Sequence, residues 1–345
     1  MKALVMTAYK EFEVQDFPEP EVGASDVLIR VKACGICGSD VHGMDGSTGR
    51  RRPPIVMGHE AAGIVEKVGP QVSGYKVGDR VTFDSTIYNP NSFFSRKGMI
   101  NLCDDRRVLG VSCEDYRQHG AFAELVAVPN HICYALPEGM TFEQAALVEP
   151  VSIAVHARHL SPIEAGDTLV VFGTGLIGLM TIQVLKHTPA KQIIAVDIDD
   201  GKLKLAKELG AAHAFNSKTT DVAAAIKDVT GGRGADVAFE AVGIEATVRS
   251  AVASVRKGGT VTLIGNLARD VSLPLQQVVT RQIRLQGSCA SSGEYPECLE
   301  LIASGKVDVD RFISAEAPLE EGAQWFDRLY KHEPGLMKVL LKPNG

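Results

Sequence analysis

Cys37-Gly38-Ser39-Asp40-Val41-His42 collects residue types that bind metals and move protons. His59 and Glu60 follow in Gly58-His59-Glu60, and Glu149-Pro150 comes much later. Thiolate, imidazole and carboxylate from Cys37, His59, Glu60 and Glu149 make a zinc set with an open position. Ligands so far apart in sequence are only moderately specific. A buried thiol, a satisfied core histidine and a solvated acid account for the same residues. Cys34 and Cys37 also form a C-x-x-C, whose usual readings are a zinc knuckle or a redox pair. No second C-x-x-C and no thioredoxin-like pattern accompanies it, so the two cysteines are read separately. Ser39-Asp40 would also suit a helix N-cap.

Gly173-Thr174-Gly175-Leu176-Ile177-Gly178 fits G-x-G-x-x-G. It follows an apolar strand pattern, Asp167–Phe172, and opens a helical one, Leu176–His187, which is the context the motif needs. Gly173 allows the tight turn, Gly175 a close approach of backbone to a pyrophosphate, and Gly178 close packing of helix on strand. The free N–H groups of the helix start would face the anion. Asp197 stands 19 residues after Gly178, at the end of a second strand pattern, Gln192–Asp197. A carboxylate there accepts hydrogen bonds from both ribose hydroxyls and repels a 2′-phosphate, which selects NAD over NADP. The bland alternative is a tight turn without a ligand. Lys202 either touches the adenosine ribose or is solvated.

The elements around these residues fall into two textures. Residues 1–150 hold short β-type runs separated by turns, among them Val27–Lys32, Ala62–Val68, Arg80–Phe83 and Phe122–Val128, which favours a barrel-like all-β unit. From residue 151, strands and helices alternate. After a helical Val151–Leu160, the later strands are Ala235–Glu240, Thr260–Gly265 and Ile283–Gly287. Helices are expected at Lys202–Leu209, Val222–Val229 and Glu245–Val255. This alternation implies a parallel sheet covered on both faces. The tail adds helices at Pro296–Ala303 and Glu320–Tyr330 and a strand at Met337–Leu341.

Composition narrows the function. The chain of 345 residues is 45% apolar with a net charge of −6, which excludes global disorder and a nucleic-acid-binding role for the chain as a whole. The clusters Arg50-Arg51-Arg52 and Arg106-Arg107 read as solvated surface. No apolar run reaches the roughly 18–20 residues needed to span a bilayer, and the first residues lack a signal-peptide core. Seven cysteines, an odd and sparse set, suggest a reducing compartment, hence the cytoplasm.

Together, these motifs resemble the zinc-dependent medium-chain dehydrogenases, closest to the sorbitol (polyol) and threonine dehydrogenase-like branches. The resemblance covers essentially the whole chain. Gly58-His59-Glu60-Ala61-Ala62-Gly63, Val77-Gly78-Asp79-Arg80-Val81 and Gly120-Ala121-Phe122-Ala123-Glu124 carry it alongside the motifs above. It implies an α/β architecture. Residues 1–150 would form a GroES-like β-barrel catalytic domain, completed by 288–345. Residues 151–287 would form a Rossmann domain, a doubly wound parallel sheet of six strands that binds NAD. Cys37 and His59 would be catalytic zinc ligands, with Glu60 a third or alternating one. Glu149 would bind the metal directly or through its water. Asp40 would fix the ring of His59. Ser39 and His42 would begin and end a proton relay through the cofactor ribose. Ile264 and Ser288 would join the glycine turn, Asp197 and Lys202 in holding the cofactor. Cys34 is read as packing.

Two departures from the family follow. Many members hold a second, structural zinc on four cysteines. The matching positions here are Asn89, Ser92, Ser95 and Cys103, and one thiolate cannot hold a closed tetrahedral site. One catalytic zinc per chain is therefore expected, with the loop Asn89–Asn101 packed through Phe93 and Phe94 and with Cys103 and Cys113 unliganded. Secondly, an Arg-Tyr pair of animal sorbitol dehydrogenases appears here as Ala290-Ser291, which argues against sorbitol itself. The expected activity is zinc- and NAD-dependent oxidation of a secondary alcohol, polyol or sugar-derived. The expected partners are small alcohols and, as a homo-dimer or homo-tetramer, further copies of the chain; neither nucleic acid nor membrane is expected. Butanediol or a threonine-like substrate is the alternative, followed by a non-catalytic nucleotide-binding protein.

Overall fold

A computed structural model describes residues 1–112 and 118–344, so Cys113 lies outside the described residues. The chain divides into two compact units, Met1–Glu149 with Ser292–Gly345, and Pro150–Ser291.

The first unit is built around the ten-residue strand Asp26–Gly35. It pairs antiparallel with Glu60–Val68, with Leu125–Pro129 and with Lys338–Lys342. The sheet continues from Glu60–Val68 to Arg80–Phe83 and Cys133–Ala135, and from Lys338–Lys342 to Ile313–Pro318. The end of the chain thus lies beside its beginning: Gly35 is opposite both Glu60 and Leu340. A smaller sheet holds Lys2–Ala8 between Glu11–Asp16 and Ile55–Val56. Phe83, Phe122, Phe326, Leu4, Met6 and Ile29 are buried at the centre of this unit. The ring of Phe326 stacks on Phe12 at 4.4 Å and meets Phe122 edge-on at 5.8 Å.

The second unit is a six-stranded parallel sheet. Its spatial order is His213–Asn216, Gln192–Asp197, Thr168–Phe172, Ala235–Glu240, Val255–Leu263, Arg284–Gly287. This is the doubly wound order, with its switch point beside Thr168–Phe172. All five residues of that strand are buried, as a parallel strand covered on both faces requires. The helix Leu176–Leu185 leaves directly from its carboxyl end.

Several elements differ from expectation. The run at Phe122–Val128 is a strand only from Leu125, with Ala123 making an isolated bridge to Ala3. The strand expected at Thr260–Gly265 begins earlier, at Val255. Asn89–Asn101 contains a 3₁₀ turn at Ser95–Lys97 and the start of a second at Ile100–Leu102. Among the described residues, no helix is long and apolar enough to cross a membrane.

Candidate metal centre and dinucleotide cradle

The three side chains Cys37, His59 and Glu60 are delivered by two turns. Cys37 follows the strand Asp26–Gly35 and caps the short helix Gly38–Gly43, its sulfur accepting hydrogen bonds from Ser39 N at 3.4 Å and Ser39 Oγ at 3.2 Å. The N-cap is therefore Cys37, and Ser39 lies inside the helix. Gly58 turns the chain at φ +94°, where a Cβ would sit 2.8 Å from Phe122 and 2.9 Å from Cys34 Sγ. Only glycine passes there, and His59 and Glu60 follow at once. The ligand atoms of Cys37, His59 and Glu60 all lie within 4.8 Å of one another, the one such group among the described residues. Glu149 stands outside that group, in the first turn of the helix Val148–His159.

The electrostatics fit a cation. Burial pushes the Glu149 carboxyl up to about 8, with Glu60 and Cys37 adding to the rise and His59 opposing it. Burial, reinforced by Glu60, pushes the Cys37 thiol up to about 12. Anionic donors crowded in a poorly solvated site resist ionising until a metal joins them, and a coordinating thiol is then deprotonated. Asp40 is fully buried and its Oδ2 lies 3.5 Å from His59 Nδ1. Neither atom has a hydrogen-bond partner. This pairing orients the ring through Nδ1 and leaves Nε2 for a metal, the arrangement that metal-binding histidines use.

Two buried cations complete the surroundings, and neither was evident from the sequence. Lys338 Nζ lies 2.5 Å from Glu60 Oε2 and donates to Ile36 O at 3.0 Å; both charged side chains are 1% exposed. Burial pulls the Lys338 ammonium down, but Glu60 and Cys37 outweigh it, and it stays charged. Arg51 forms an ion pair with Asp40 at 2.8 Å and is only 3% exposed. The expectation that all three arginines of Arg50-Arg51-Arg52 are solvated is corrected for Arg51, because an unpaired Asp40 carboxylate beneath it demands a partner. His42 is half-buried, with its ring 6.5 Å from that of His332.

In the second unit, the glycine turn has the shape that a dinucleotide needs. Gly173 sits at φ +88°, and a Cβ on Gly178 would lie 1.8 Å from Gly173 O. A Cβ on Gly175 would meet nothing within 4 Å, so the space before the helix is open. That helix start has no side-chain cap, and Leu176 and Ile177 form its first turn. Asp197 Oδ2 accepts from Thr174 N at 2.6 Å, and Oδ1 from Ile198 N at 2.7 Å and Asp199 N at 3.1 Å. The carboxylate is thus locked against the turn, with one acceptor site, on Oδ2, remaining for a ribose hydroxyl. Lys202 is exposed on the helix Asp200–Leu209. Ile264 N donates to Glu240 O at 2.8 Å and Ser288 N to Leu263 O at 2.9 Å. The hydroxyls of Ser288 and Thr174 are buried without partners. An orphaned Thr174 hydroxyl at an open helix start, and a second at Ser288 beyond the carboxyl end of the edge strand, are consistent with a missing polar ligand.

Residues 23–138 match the alcohol dehydrogenase GroES-like domain, and residues 177–304 match the zinc-binding dehydrogenase model. The sorbitol dehydrogenase of Bacillus subtilis (strain 168) is 33% identical over 348 residues, spanning 100% of this chain and 98% of its own. The chain belongs to the zinc-binding dehydrogenase family. Solved structures agree with this dehydrogenase fold. The 2R,3R-butanediol dehydrogenase of Bacillus subtilis superposes with a TM-score of 0.88 at 32% identity, covering 99% of each chain. A Sinorhizobium meliloti 1021 chain bound to NADP gives 0.90 at 32% identity, again with 99% of each covered. This zinc-binding dehydrogenase is an enzyme of the alcohol dehydrogenase type.

The expected packing of the loop from Asn89 through Phe93 and Phe94 does not hold for Phe93, while Phe94 is half-buried. Phe93 is 62% exposed, and meets Phe94 edge-on at 5.2 Å. Hydrogen bonds also hold the loop. Asn89 N donates to Cys103 Sγ at 3.3 Å, Ser92 Oγ to Ser95 Oγ at 2.8 Å, and Ile100 N to Ser292 Oγ at 3.1 Å.

Proposed function

We propose that this dehydrogenase oxidises a secondary alcohol, polyol or sugar-derived, to the ketone with NAD as hydride acceptor and one catalytic zinc per chain. The observation that carries the reading is the intact Cys37–His59–Glu60 group with the orphaned Asp40–His59 contact behind it. When bound, zinc supplies Lewis acidity to the substrate oxygen and nicotinamide takes the hydride. The protein does the rest. Cys37, His59 and Glu60 would hold the metal, with Glu149 beside them. Asp40 orients His59. Ser39 receives the alcohol proton, and His42 passes it to solvent. Gly173, Gly175, Leu176, Ile177 and Gly178 would seat the pyrophosphate, Asp197 and Lys202 the adenosine ribose, and Ile264 and Ser288 the nicotinamide end.

Asp197 supports NAD, because a carboxylate repels a 2′-phosphate; the NADP seen in one structural relative makes this a point to measure. The sorbitol dehydrogenase relative favours a polyol. Ala290-Ser291, with Ala290 at φ +52°, leaves no arginine there to clamp a long polyol. The butanediol dehydrogenase relative therefore keeps a short diol, or a threonine-like 3-hydroxy amino acid, as the second reading. Cys34, Cys37, Cys103, Cys133 and Cys298 are free thiols, in keeping with a cytoplasmic enzyme. The assembly proposed is a homo-dimer or homo-tetramer.

The test is NADH or NADPH formation by the purified protein across polyols, sugar acids, inositols, butanediols and L-threonine. Turnover of one class with NAD, abolished by zinc removal, is the expected result. Preference for NADP would overturn the reading of Asp197. A protein that binds NAD but holds no zinc and turns over nothing would support a non-catalytic role.

A further inference from the structure

Arg51 is the middle of three arginines, yet it is buried, whereas Arg50 and Arg52 face solvent. Its guanidinium makes four hydrogen bonds. Nε and Nη2 both donate to Asp40 Oδ1, at 3.0 and 2.8 Å. Nη2 also donates to Ser39 Oγ at 3.2 Å, and Nη1 to Arg50 O at 3.2 Å. The stem is closely packed, since a Cβ on Gly43 would lie 2.6 Å from Arg51 Cγ.

Two consequences follow. Both donors to Asp40 fall on Oδ1, so the carboxylate cannot rotate freely. Oδ2 is left without a hydrogen-bond partner, 3.5 Å from the likewise unpartnered His59 Nδ1. Secondly, a guanidinium has donors and no acceptor. Ser39 Oγ must therefore accept from Arg51. That leaves the hydroxyl one lone pair and its own proton, which is directed at Cys37 Sγ. The free lone pair is what the hydroxyl needs to receive the alcohol proton, while its own hydrogen, held on Cys37 Sγ, must turn away from that sulfur before it is passed on. A lysine could supply the charge but not this fork, because its ammonium is a single point.

We propose that Arg51 is a positioning residue of the oxidation site, acting through Asp40 on His59 and directly on the Ser39 hydroxyl. The proposal rests on the reading of this site as an alcohol-oxidising metal centre. Its readouts include two that need no substrate: the rate at which zinc passes to a chelator, and the visible spectrum of the cobalt-substituted protein. Arg51→Lys should lose zinc about tenfold faster than the parent, within the range known for residues that orient metal ligands. Its cobalt bands should shift, and kcat should fall while KM changes by less than about twofold. Zinc loss and a cobalt spectrum like the parent's would overturn the proposal, because charge alone would then suffice. Arg51→Met strands the Asp40 charge and can fail to fold. The double variant Asp40→Asn with Arg51→Met removes both charges together. Against Asp40→Asn alone, adding Arg51→Met should change zinc loss little, since Asp40 no longer needs aiming; a change as large as that of Arg51→Lys in the parent would overturn the route through Asp40. A silent substrate panel alongside altered zinc loss and cobalt bands would count against the proposed activity and leave the positioning role standing.

Discussion

His42 is the residue through which the proposed relay would reach solvent, and its basicity is set by burial and two neighbours. Burial lowers it first, the facing His332 lowers it further, and Asp45 raises it. A proton acceptor works only in its neutral form, so activity should fall as pH drops through the pKa of His42. Replacing His332 with Gln removes a repulsive partner and should raise that pKa, moving the acid limb of kcat/KM to higher pH. Asp45→Asn should move the limb the other way. Asp45 also accepts from Tyr330 Oη at 2.9 Å and Ser47 N at 2.9 Å, so its variant needs a thermal melt as control. A pH profile unmoved by both substitutions would remove His42 from the relay. At the same scale, Ser39→Ala should lower kcat by roughly 10²-fold or more, the contribution expected of a positioned proton-transfer group, with zinc content unchanged. Rates measured beside metal analysis distinguish this from a loss of the metal.

Packing of helix on strand decides the glycine turn. Alanine at Gly178 would place its Cβ 1.8 Å from a backbone oxygen, which no side-chain movement can relieve. Overpacking of this kind costs about 3 kcal/mol at the upper end of its usual range, enough to lower the melting temperature by roughly 6–12 °C. KM for NAD should rise with it, because the turn that seats the pyrophosphate is displaced; a parent-like melt and KM would show that the turn relaxes. This turn was legible in the sequence because everything it needs is local: a buried strand, three glycines, a helix and an acid. For the same reason, Arg80–Phe83, Gln192–Asp197, Val222–Val229 and Ala235–Glu240 have the bounds their patterns predict. His213–Asn216 and Ile313–Pro318 were not legible. The first is four half-buried residues at a sheet edge, and the second alternates weakly and ends in proline. Both are strands because of what they pair with. Arg51 and Lys338 were hidden in the same way. Two flanking arginines make Arg51 look solvated, and the partner of Lys338 is 278 residues away.

Across the whole molecule, a net charge of −6 conceals a local balance. Cys37, Asp40, Glu60 and Glu149 bring four negative charges when ionised, and Arg51 and Lys338 return two. One divalent ion makes the group neutral, whereas without it the site must keep protons or repel itself, as the raised Glu149 and Cys37 indicate. The loop around Cys103 offers no such demand. Burial raises its thiol, but hydrogen bonds from Ser92, Asn89 and Asp105 more than offset this and lower it overall. Its sulfur accepts from Asn89 N, and the matching positions offer two hydroxyls and an amide where a closed zinc site would need three more thiolate or imidazole ligands. Metal analysis of the purified enzyme should therefore give one zinc per chain. Cys103→Ser should keep that zinc and the activity, whereas Cys37→Ser should lose both. Chelation should also lower the melting temperature of the parent and of Cys103→Ser alike, because a ligand that binds only the folded chain stabilises it. Two zinc ions per chain, with one lost in Cys103→Ser, would mean that the loop recruits donors beyond Asn89, Ser92 and Ser95.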